Sequence, residues 1–416
     1  MPDESLAPEA REVADAVARR SYGKLVAFLA ARTRDVAAAE DALSEAFAAA
    51  LIEWPTRGPP DNPEAWLLTV ARRRQMDLDR RQGTHDTAAR ELAILAEGLE
   101  THAELPGIPD RRLALMFACA HPAIEAAVRA PLMLQVVVGL DAKAIAPPFL
   151  LSPAAMSKRL VRAKIRIREA GIPFRIPEPE ELPARVDAVL DAVYATFTEG
   201  WTDPRGTDAI RRHLTGEAFF LARLLVELLP DEPEAMGLLA LVLHAEARRA
   251  ARRDEAGEFV PLDRQDAATW DWRMIAEAEA LLRRAATSGA IGRYQLEGAL
   301  QSAHVHRLAM GASNWADIVR LHDGLLAITG SPVVALNRAL AIGELKGPAE
   351  ALLELDTLAT DARLAQYQPW WEARAEVLAR MGDTAGARAA YALAIGLERD
   401  PAVRRFLQHA RERLHR

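Results

Sequence analysis

The chain is poor in cysteine and aromatic residues, and it has no long uninterrupted hydrophobic run. Its single cysteine, Cys119, excludes an intramolecular disulfide and any metal site built from several cysteines. Charged residues or prolines interrupt every apolar stretch before it reaches the roughly 18 to 20 residues of a membrane-spanning helix, and no secretory leader pattern opens the sequence. We therefore expect a soluble, cytoplasmic protein without membrane contact.

Composition favours helices over sheets. The chain has 416 residues, of which 50% are hydrophobic and only 6% aromatic, and alanine, leucine, arginine and glutamate are abundant. This mixture has high helix propensity, and the length exceeds that of one ordinary helical domain. We predict an all-α protein of two or three domains, each large enough to bury its own core.

The charge is unevenly distributed along the chain. The formal net charge is −7, with +1 in residues 1–175 and −8 in residues 176–416. The basic residues of the first part are concentrated between Arg72 and Arg81 and between Lys158 and Arg168. Such clusters in a nearly neutral segment are candidate binding surfaces for an anion.

Two breaks divide the chain into helical segments. Residues 83–110 carry six acidic residues against one arginine, and residues 173–183 are rich in proline and glutamate, which favour the end of a helix. The sequence therefore predicts a first helical domain over 1–82, an acidic linker over 83–110, a second helical domain over 111–172, a Pro/Glu-rich linker over 173–183, and a helical-repeat domain over 184–416.

Capping residues predict where several helices begin. Asp35 precedes an apolar pattern typical of a helix, and Asn62 followed by Pro63 begins the helix with the first arginine cluster. Residues 54–63 are predicted as a Pro/Gly-rich loop. Ser152 begins the second basic helix, and a shorter hydrophobic helix precedes it. This order is typical of a helix-turn-helix, in which the second helix enters the DNA major groove.

The last part of the chain shows a pattern of paired helices. Residues 370–395 combine small residues, a Gly-Asp turn at Gly382 and Asp383, and an Ala-x-x-x-Tyr motif ending at Tyr391, which together resemble a tetratricopeptide repeat. Residues 331–342 could form an earlier, degenerate repeat. The sequence therefore predicts an array of antiparallel helices at the carboxyl end.

None of the common catalytic motifs is present. The chain lacks a Gly-x-x-x-x-Gly-Lys loop, a His-Glu-x-x-His motif and a Gly-x-Ser-x-Gly motif. A surface or packed pair is favoured over a metal site for His304 and His306, because only a strand would point both imidazoles the same way. Cys119 and His121 favour a helix end with a buried thiol over a reactive dyad. We expect no enzymatic activity, no metal and no cofactor.

The two basic helices have two competing explanations. Asp77 is four residues from both Arg73 and Arg81, so exposed ion pairs worth a few tenths of a kcal/mol each could explain part of the first cluster. Two basic helices in one nearly neutral segment instead favour two contacts with one polyanion. Trp66 beside such a helix suits single-stranded nucleic acid, whose bases stack on aromatic rings, although Trp54 and Trp66 can also be core residues.

These motifs, in this order, resemble a family of bacterial transcription factors. The relevant residues of the first domain are Asp41-x-x-x-Glu45-x-Phe47, Trp54, Pro63-x-x-Trp66-Leu-x-x-x-Ala71-Arg72 and Asp77-x-x-Arg80-Arg81. They resemble region 2 of the extracytoplasmic-function (group 4, sigma-70 family) sigma factors of RNA polymerase. Residues 111–170 resemble region 4, and the segment from Arg185 to Trp201 is similar to the start of a tetratricopeptide-like extension fused to one sigma subgroup.

The resemblance implies roles for individual residues and partners. The implied partners are core RNA polymerase, through its β′ clamp helices and β flap, and promoter DNA. Polymerase binding would involve Asp41, Glu45 and Phe47. Single-stranded DNA of the −10 element would be held by Trp54, Asn62, Trp66, Arg72, Arg73, Arg74, Arg80 and Arg81. The −35 element would be read by Ser152, Ala155, Met156, Lys158, Arg159, Arg162 and Lys164. The acidic linker would pass through the polymerase interior.

Some features depart from this pattern and leave alternatives open. Pro147 and Pro148 stand where the supporting helix of the helix-turn-helix should end, so that helix should be short. The leading hypothesis is a sigma factor with a helical domain that modulates its activity by contacting the sigma domains, polymerase or another regulator. The alternatives are a one-component DNA-binding regulator with a sensor domain, and a helical scaffold whose basic helices are solvated faces.

Overall fold

The computed structural model describes residues 6–33, 35–81, 111–146, 149, 151–172, 177–201, 209–311, 313–398 and 400–414. The acidic linker at 83–110 therefore lies outside the described residues, as do Pro147 and Pro148. The chain divides into two compact units, residues 1–199 and residues 200–416. This division falls after the proline-rich segment 173–183, at which the sequence predicts a domain boundary.

The described residues of unit 1 are helical, in agreement with the all-α prediction. The helices are α1 Leu6–Thr33, α2 Val36–Arg57, α3 Pro63–Arg81, α4 Arg112–Cys119, α5 Ala126–Val136, α6 Ala142–Ile145 and α7 Pro153–Glu169, and the division between the units falls within α8 Val186–Trp201. We call α1–α3 the first bundle and α4–α7 the second bundle.

Side-chain caps start three of these helices where the sequence predicts them. The Asp35 carboxylate accepts a hydrogen bond from Ala38 N at 3.1 Å, and Asn62 Oδ1 accepts one from Ala65 N at 3.0 Å. Ser152 Oγ accepts one from Ala155 N at 3.3 Å. Each cap satisfies an amide that has no partner within its helix, so these three helix starts are confirmed.

The predicted loop over residues 54–63 is wrong at its beginning. Helix α2 continues through Pro55 to Arg57, and Gly58 ends it with φ +77° while its amide donates to Trp54 O at 2.8 Å. Proline is tolerated here because its ring removes only one hydrogen bond, in the last turn of the helix. The connection to α3 is therefore short, and Trp54 lies on a helix.

The second bundle contains a helix that is buried almost all round. In α4, Leu113 and the five consecutive residues from Leu115 to Cys119 are buried. A short helix with this pattern must pack against neighbours on most sides, and α4 contacts both α1 and α5. Helix α6 has four residues and begins at the Asp141 cap, as expected for a shortened supporting helix before α7.

Unit 2 is an array of helices in which neighbours in sequence pack together. Its helices are α9 Ala209–Leu228, α10 Pro233–Ala247, α11 Trp272–Ala286, α12 Arg293–Met310, α13 Trp315–Thr329, α14 Pro332–Lys346, α15 Pro348–Leu358, α16 Gln368–Arg380, α17 Thr384–Leu397 and α18 Pro401–Arg413. Such nearest-neighbour packing is typical of helical-repeat proteins.

The predicted Gly-Asp turn joins α16 to α17. Gly382 has φ +83°, a conformation that disfavours other residues, and Asp383 caps α17 by accepting from Gly386 N at 2.9 Å. Tyr391 and Leu407 pack with small residues of α16, α17 and α18 in one buried cluster. The predicted turn at Gly382 and Asp383 is therefore confirmed, and it joins two packed helices.

A long connection joins α10 to α11 and packs against α18, the last helix of unit 2. It includes three short 3-10 turns and one isolated bridge between Arg253 and Phe259. Phe259 meets Phe406 of α18 edge-to-face with centroids 5.5 Å apart, and Glu258 pairs with Arg405 at 2.9 Å. Outside that bridge, the described residues contain no β-structure, and no described helix is both long and apolar enough to cross a membrane.

Candidate nucleic-acid and polymerase interface

Helix α7 presents three different faces. Its apolar stripe is buried and consists of Met156, Leu160, Ala163 and Ile167, spaced three or four residues apart as expected for one helix face. A second face turns towards α2, and a third is exposed and cationic. The helical period, rather than the number of basic residues, decides which cation reaches which face.

The exposed face carries Lys158, Arg162 and Arg166, at steps of four residues. Within the described parts of the chain, no carboxylate lies within ion-pairing distance of these three cations, although Arg162 Nε donates to Lys158 O at 3.3 Å. A row of cations at one helical repeat can follow a row of phosphates. Arg166 was not among the predicted DNA contacts, although its four-residue spacing could have indicated it.

On the face towards α2, the cations of α7 form ion pairs with acidic residues at the start of α2. Lys164 Nζ lies 2.5 Å from Glu40 Oε2, with the two side chains only 13% and 11% exposed, and Arg168 pairs with Asp35 at 3.3 Å. Lys164 was predicted to contact DNA. In this arrangement its ammonium is enclosed against α2, because Lys164 and Lys158 lie on different sides of the helix.

Two further residues predicted for the −35 contact lie away from the cationic face. Met156 is fully buried in the second bundle, so its side chain cannot reach a base edge. Ser152 is exposed, but its hydroxyl accepts the capping hydrogen bond from the half-buried Ala155. Arg159 is half-buried at the edge of the cationic face.

The exposed side of α2 carries Asp41 and Glu45, two of the three predicted polymerase contacts. Asp41 and Glu45 are exposed one helical turn apart, and Phe47 is half-buried. Further along the same helix, Ile52 is 74% exposed. This side therefore combines acidic groups at one end with an apolar group at the other, and sequence reasoning did not single out Ile52.

Helix α3 lies beside α2, and an ion pair joins the two predicted surfaces. Arg74 Nε is 3.3 Å from Glu45 Oε2, and both side chains are about half exposed. The Arg72 guanidinium lies over the Phe28 ring at 4.9 Å, and Arg73 is exposed. Helix α3 extends to Arg81, but the side chains of Arg80 and Arg81 lie outside the described residues, as does that of Asp77.

The two tryptophans differ in exposure. Trp54 is only 2% exposed and meets the half-buried Trp66 edge-to-face with centroids 5.4 Å apart. Trp54 is therefore a core residue that supports Trp66, and a base cannot stack on a ring that the protein already covers. Asn62 is exposed, and its side-chain oxygen caps α3.

The cysteine and histidines that could serve as reactive or metal-binding groups are packed against other residues or lie on different sides of a helix. Cys119 is fully buried, and burial raises the pKa of its thiol well above the ordinary value. His121 accepts from Ala123 N through Nδ1 at 3.1 Å, and burial lowers its pKa. His304 packs on Trp315 whereas His306 is exposed. Over the residues that the structure describes, no group of three or more potential metal ligands is present.

Comparison with known families agrees with the geometry of the first bundle. The family model for sigma-70 region 2 matches residues 17–84, which include α2 and α3 with their exposed surfaces but not α7. The chain belongs to the sigma-70 family. It is therefore a sigma factor, a protein of transcription initiation, and region 2 is the part of such a factor that binds core RNA polymerase.

Two other comparisons concern the rest of this sigma factor. A family of unknown function, DUF6596, matches residues 185–286. The chain is 37% identical over 370 residues to the uncharacterized protein R00370 of Rhizobium meliloti (strain 1021), and the match covers 88% of this chain and 87% of that protein. The two proteins belong to one family along most of their length. No solved structure matches the chain significantly.

Proposed function

We propose that this sigma factor directs core RNA polymerase to promoters through two DNA contacts, in the manner of the extracytoplasmic-function group. The first bundle would bind polymerase through Asp41 and Glu45 and hold the opened −10 strand along α3. The second bundle would act as region 4 and place α7 in the major groove of the −35 element. It would act in the cytoplasm and carry out no chemistry itself.

The exposed cationic row of α7 is the observation that supports the proposed −35 contact of the second bundle. Lys158, Arg162 and Arg166 lie opposite a buried apolar stripe, on the helix that follows the short α6. A solvated face would be expected to mix acids with its cations. This face instead carries three cations and a single acid, Glu169 at the end of α7, and no carboxylate of the described residues lies within ion-pairing distance of the three cations, which suits phosphate contacts.

Reconstituted transcription tests the cationic row. The triple variant Lys158→Ala/Arg162→Ala/Arg166→Ala should weaken binding of the polymerase complex to promoter duplex. If all three cations meet phosphates, the slope of log affinity against log salt should fall by roughly 2.7, at about 0.9 per lost contact. The matched control is Arg273→Ala/Arg283→Ala/Lys346→Ala, three exposed cations of unit 2, which should leave the slope unchanged.

Two outcomes would contradict the proposal in different ways. An unchanged salt slope in the α7 variant would remove the −35 assignment while leaving region 2 intact. Tight binding of promoter duplex by the chain alone, together with failure to bind core polymerase, would instead favour the one-component regulator.

We also propose that unit 2 is a tetratricopeptide-like domain that modulates this activity through contact with polymerase. The support is its array of neighbouring helix pairs and the Gly-Asp turn before α17. Hydrogen exchange of the full chain, alone and bound to core polymerase, tests the contact. Slower exchange in α10–α18 on binding is expected, and identical exchange in both states would refute a polymerase contact.

A further inference from the structure

Four arginines lie close together in sequence at the end of helix α10 in unit 2. They are Arg248, Arg249, Arg252 and Arg253, and they begin directly after Ala247, the last residue of α10, and continue through the short 3-10 turn that follows. Arginines four residues apart on a helical turn repel each other. The acids that lie beside each arginine therefore decide what this segment can bind.

Three of the four arginines have an acid of unit 2 beside them. Arg249 contacts both carboxylate oxygens of Glu246 at 2.6 Å, and Arg253 pairs with Asp400, next to α18. Burial lowers the pKa of Arg252 to about 10, and the neighbouring guanidiniums lower it further, whereas Asp400 opposes this shift. The positive charge of these three side chains is therefore partly offset within the chain.

Arg248 differs, because its partners are neutral. Its Nε donates to the carbonyl oxygen of His244 at 3.1 Å, and its Nη2 donates to Gln301 Oε1 of α12. The residue is only 8% exposed, and in the part of the chain that the structure describes no carboxylate lies within ion-pairing distance of it. Burial lowers its pKa to about 10, which still leaves it charged at pH 7. A buried cation without a counter-charge is unfavourable, so this position favours an anion from outside the chain.

A second guanidinium without a carboxylate partner lies on α12. The Arg307 guanidinium lies over the Trp315 ring at 4.5 Å, and His304 meets the same ring edge-to-face. Arg307 Nε is buried without an acceptor, and no carboxylate of the described ranges lies within ion-pairing distance of this side chain. Burial lowers the pKa of His304 to about 4, and Arg307 and Arg248 both add to this shift. The two guanidiniums therefore lie close to the same imidazole.

Arg338 shows the contrasting arrangement in unit 2. It lines a groove between α13, α14 and α15 and pairs with Asp323 and Glu354, at 2.6 and 2.8 Å. An added anion would have to displace these carboxylates before it could bind this guanidinium. The lack of such partners distinguishes Arg248 and Arg307 from it.

We propose that Arg248 and Arg307 hold a small phosphate-type dianion between the end of α10 and α12, supplied either as free phosphate or as the phosphoryl group of a small-molecule monoester. A dianion matches two cations, and a guanidinium can donate two parallel hydrogen bonds to phosphoryl oxygens. The ligand must be small, because so little of Arg248 is open to solvent that a macromolecular surface cannot reach it. The inference goes beyond the proposed sigma function, and binding can be measured on the chain alone, whether or not it binds polymerase.

Titration calorimetry of the full chain tests the site with two probes, inorganic phosphate and glycerol 3-phosphate, in a buffer free of other phosphates. Binding of one anion per chain is expected, and acetate should bind more weakly because it carries a single charge. Binding of inorganic phosphate would identify free phosphate as a sufficient ligand, whereas binding of glycerol 3-phosphate alone would identify a monoester. Absence of binding for both probes, or equally tight binding of acetate, would overturn the proposal.

Methionine substitutions test the two cations, because methionine removes the charge and fills much of the same space. Arg248→Met and Arg307→Met should each weaken binding by roughly tenfold or more, since each removes a charge-assisted contact with the anion. Arg338→Met is the matched control, because its guanidinium already has carboxylate partners, and it should leave the affinity unchanged. Unchanged affinity in either Arg248→Met or Arg307→Met would mean that the anion binds elsewhere and would refute the site.

Thermal unfolding separates a binding role of Arg248 from a structural one. Phosphate, compared with chloride at equal ionic strength, should raise the melting temperature of the wild-type chain and of Arg338→Met, because a ligand of the folded state stabilises it. Arg248→Met should show only the smaller general effect of phosphate on proteins. If Arg248→Met instead melts lower in both salts and keeps the full phosphate-dependent rise, Arg248 only supports packing and the proposal fails. Arg307→Met, at a less buried position, gives the same test if Arg248→Met does not fold.

Discussion

The two units of this sigma factor use charged side chains differently. Unit 1 keeps a row of cations on α7 without carboxylate partners among the described residues and places one largely enclosed ion pair, Lys164–Glu40, between distant parts of the chain. In unit 2, arginines join parts of the helical array both near and far in sequence: Arg338 contacts Asp323 and Glu354 at 2.6 and 2.8 Å, and Arg405 pairs with Glu258 at 2.9 Å. A surface that binds a polyanion must leave cations available, whereas a helical array can use them to join its own neighbours.

Buried polar groups also differ between the units. In unit 1 the Glu40 carboxylate is enclosed with an ammonium partner, whereas in unit 2 the covered imidazoles of His304 and His322 are neutral near pH 7. Burial lowers the pKa of His304 and of His322 to about 4, and His322 is only 6% exposed. The two units should therefore respond differently to core truncation, acid and salt.

The largest effect should come from removing the core tryptophan of unit 1. Trp54→Ala should lower the free energy of unfolding of the first bundle by about 3–5 kcal/mol, because it removes a buried aromatic ring and leaves a cavity. Ile52→Ala, two residues earlier and 74% exposed, should change it by less than about 0.5 kcal/mol. Urea unfolding of the full chain, followed by circular dichroism, measures both. Equal effects of the two substitutions would show that Trp54 is not a core residue.

A smaller effect should appear in unit 2 on acidification. The pKa of His322 is about 4 in the folded chain and about 6.5 when unfolded, so the unfolded state binds more protons between these values. Stability is therefore retained above pH 6.5 and lost as pH falls towards 4, by up to about 3 kcal/mol per histidine. Asp323 and Arg338 have opposing effects on this pKa.

The variant His322→Asn should flatten this pH dependence. His304 would keep its own contribution, so about half of the loss should disappear, and His306→Asn, at an exposed position, should leave the dependence unchanged. Urea unfolding at several pH values between 4.5 and 7.5 measures the slope. A slope that His322→Asn leaves intact would contradict the assignment of a neutral buried imidazole.

The smallest effects should come from single ion pairs. Arg338→Ala should cost about 1 kcal/mol, because its mostly covered guanidinium joins two carboxylates of neighbouring helices. Arg74→Ala should cost less than about 0.5 kcal/mol, since both members of the Arg74–Glu45 pair are about half exposed. Thermal unfolding at low and high salt compares them. A larger cost for Arg74→Ala would reverse the contrast drawn between the units.

Local sequence signals were reliable where the physical cause was local. Asp35, Asn62 and Ser152 begin helices as predicted because a short side chain accepts a hydrogen bond from an amide three residues later. Gly382 and Asp383 form the predicted turn because glycine tolerates a positive φ and the Asp383 carboxylate caps the next helix. The extension of α2 through Pro55 was missed because proline usually ends a helix, but its cost is small in the last turn.

Side-chain environment was less predictable than helix position. A list of basic residues did not separate Lys158, which faces solvent, from Lys164, which faces Glu40. The four-residue step from Lys158 to Arg162 and Arg166 could have been read from the sequence, whereas the position of α2 beside α7 could not. Likewise, aromatic content alone did not show that Trp54 is covered and Trp66 only partly so.

The sequence by itself determined that the chain is helical, where many of its helices begin, and that two basic helices lie in its first part. Those properties follow from propensity, capping and periodicity, which act over a few residues. Only the tertiary structure decided which cations of α7 remain exposed to solvent and which form ion pairs between the two bundles. That outcome depends on Gly23 meeting Val137 and on Glu40 meeting Lys164, contacts between residues more than a hundred positions apart.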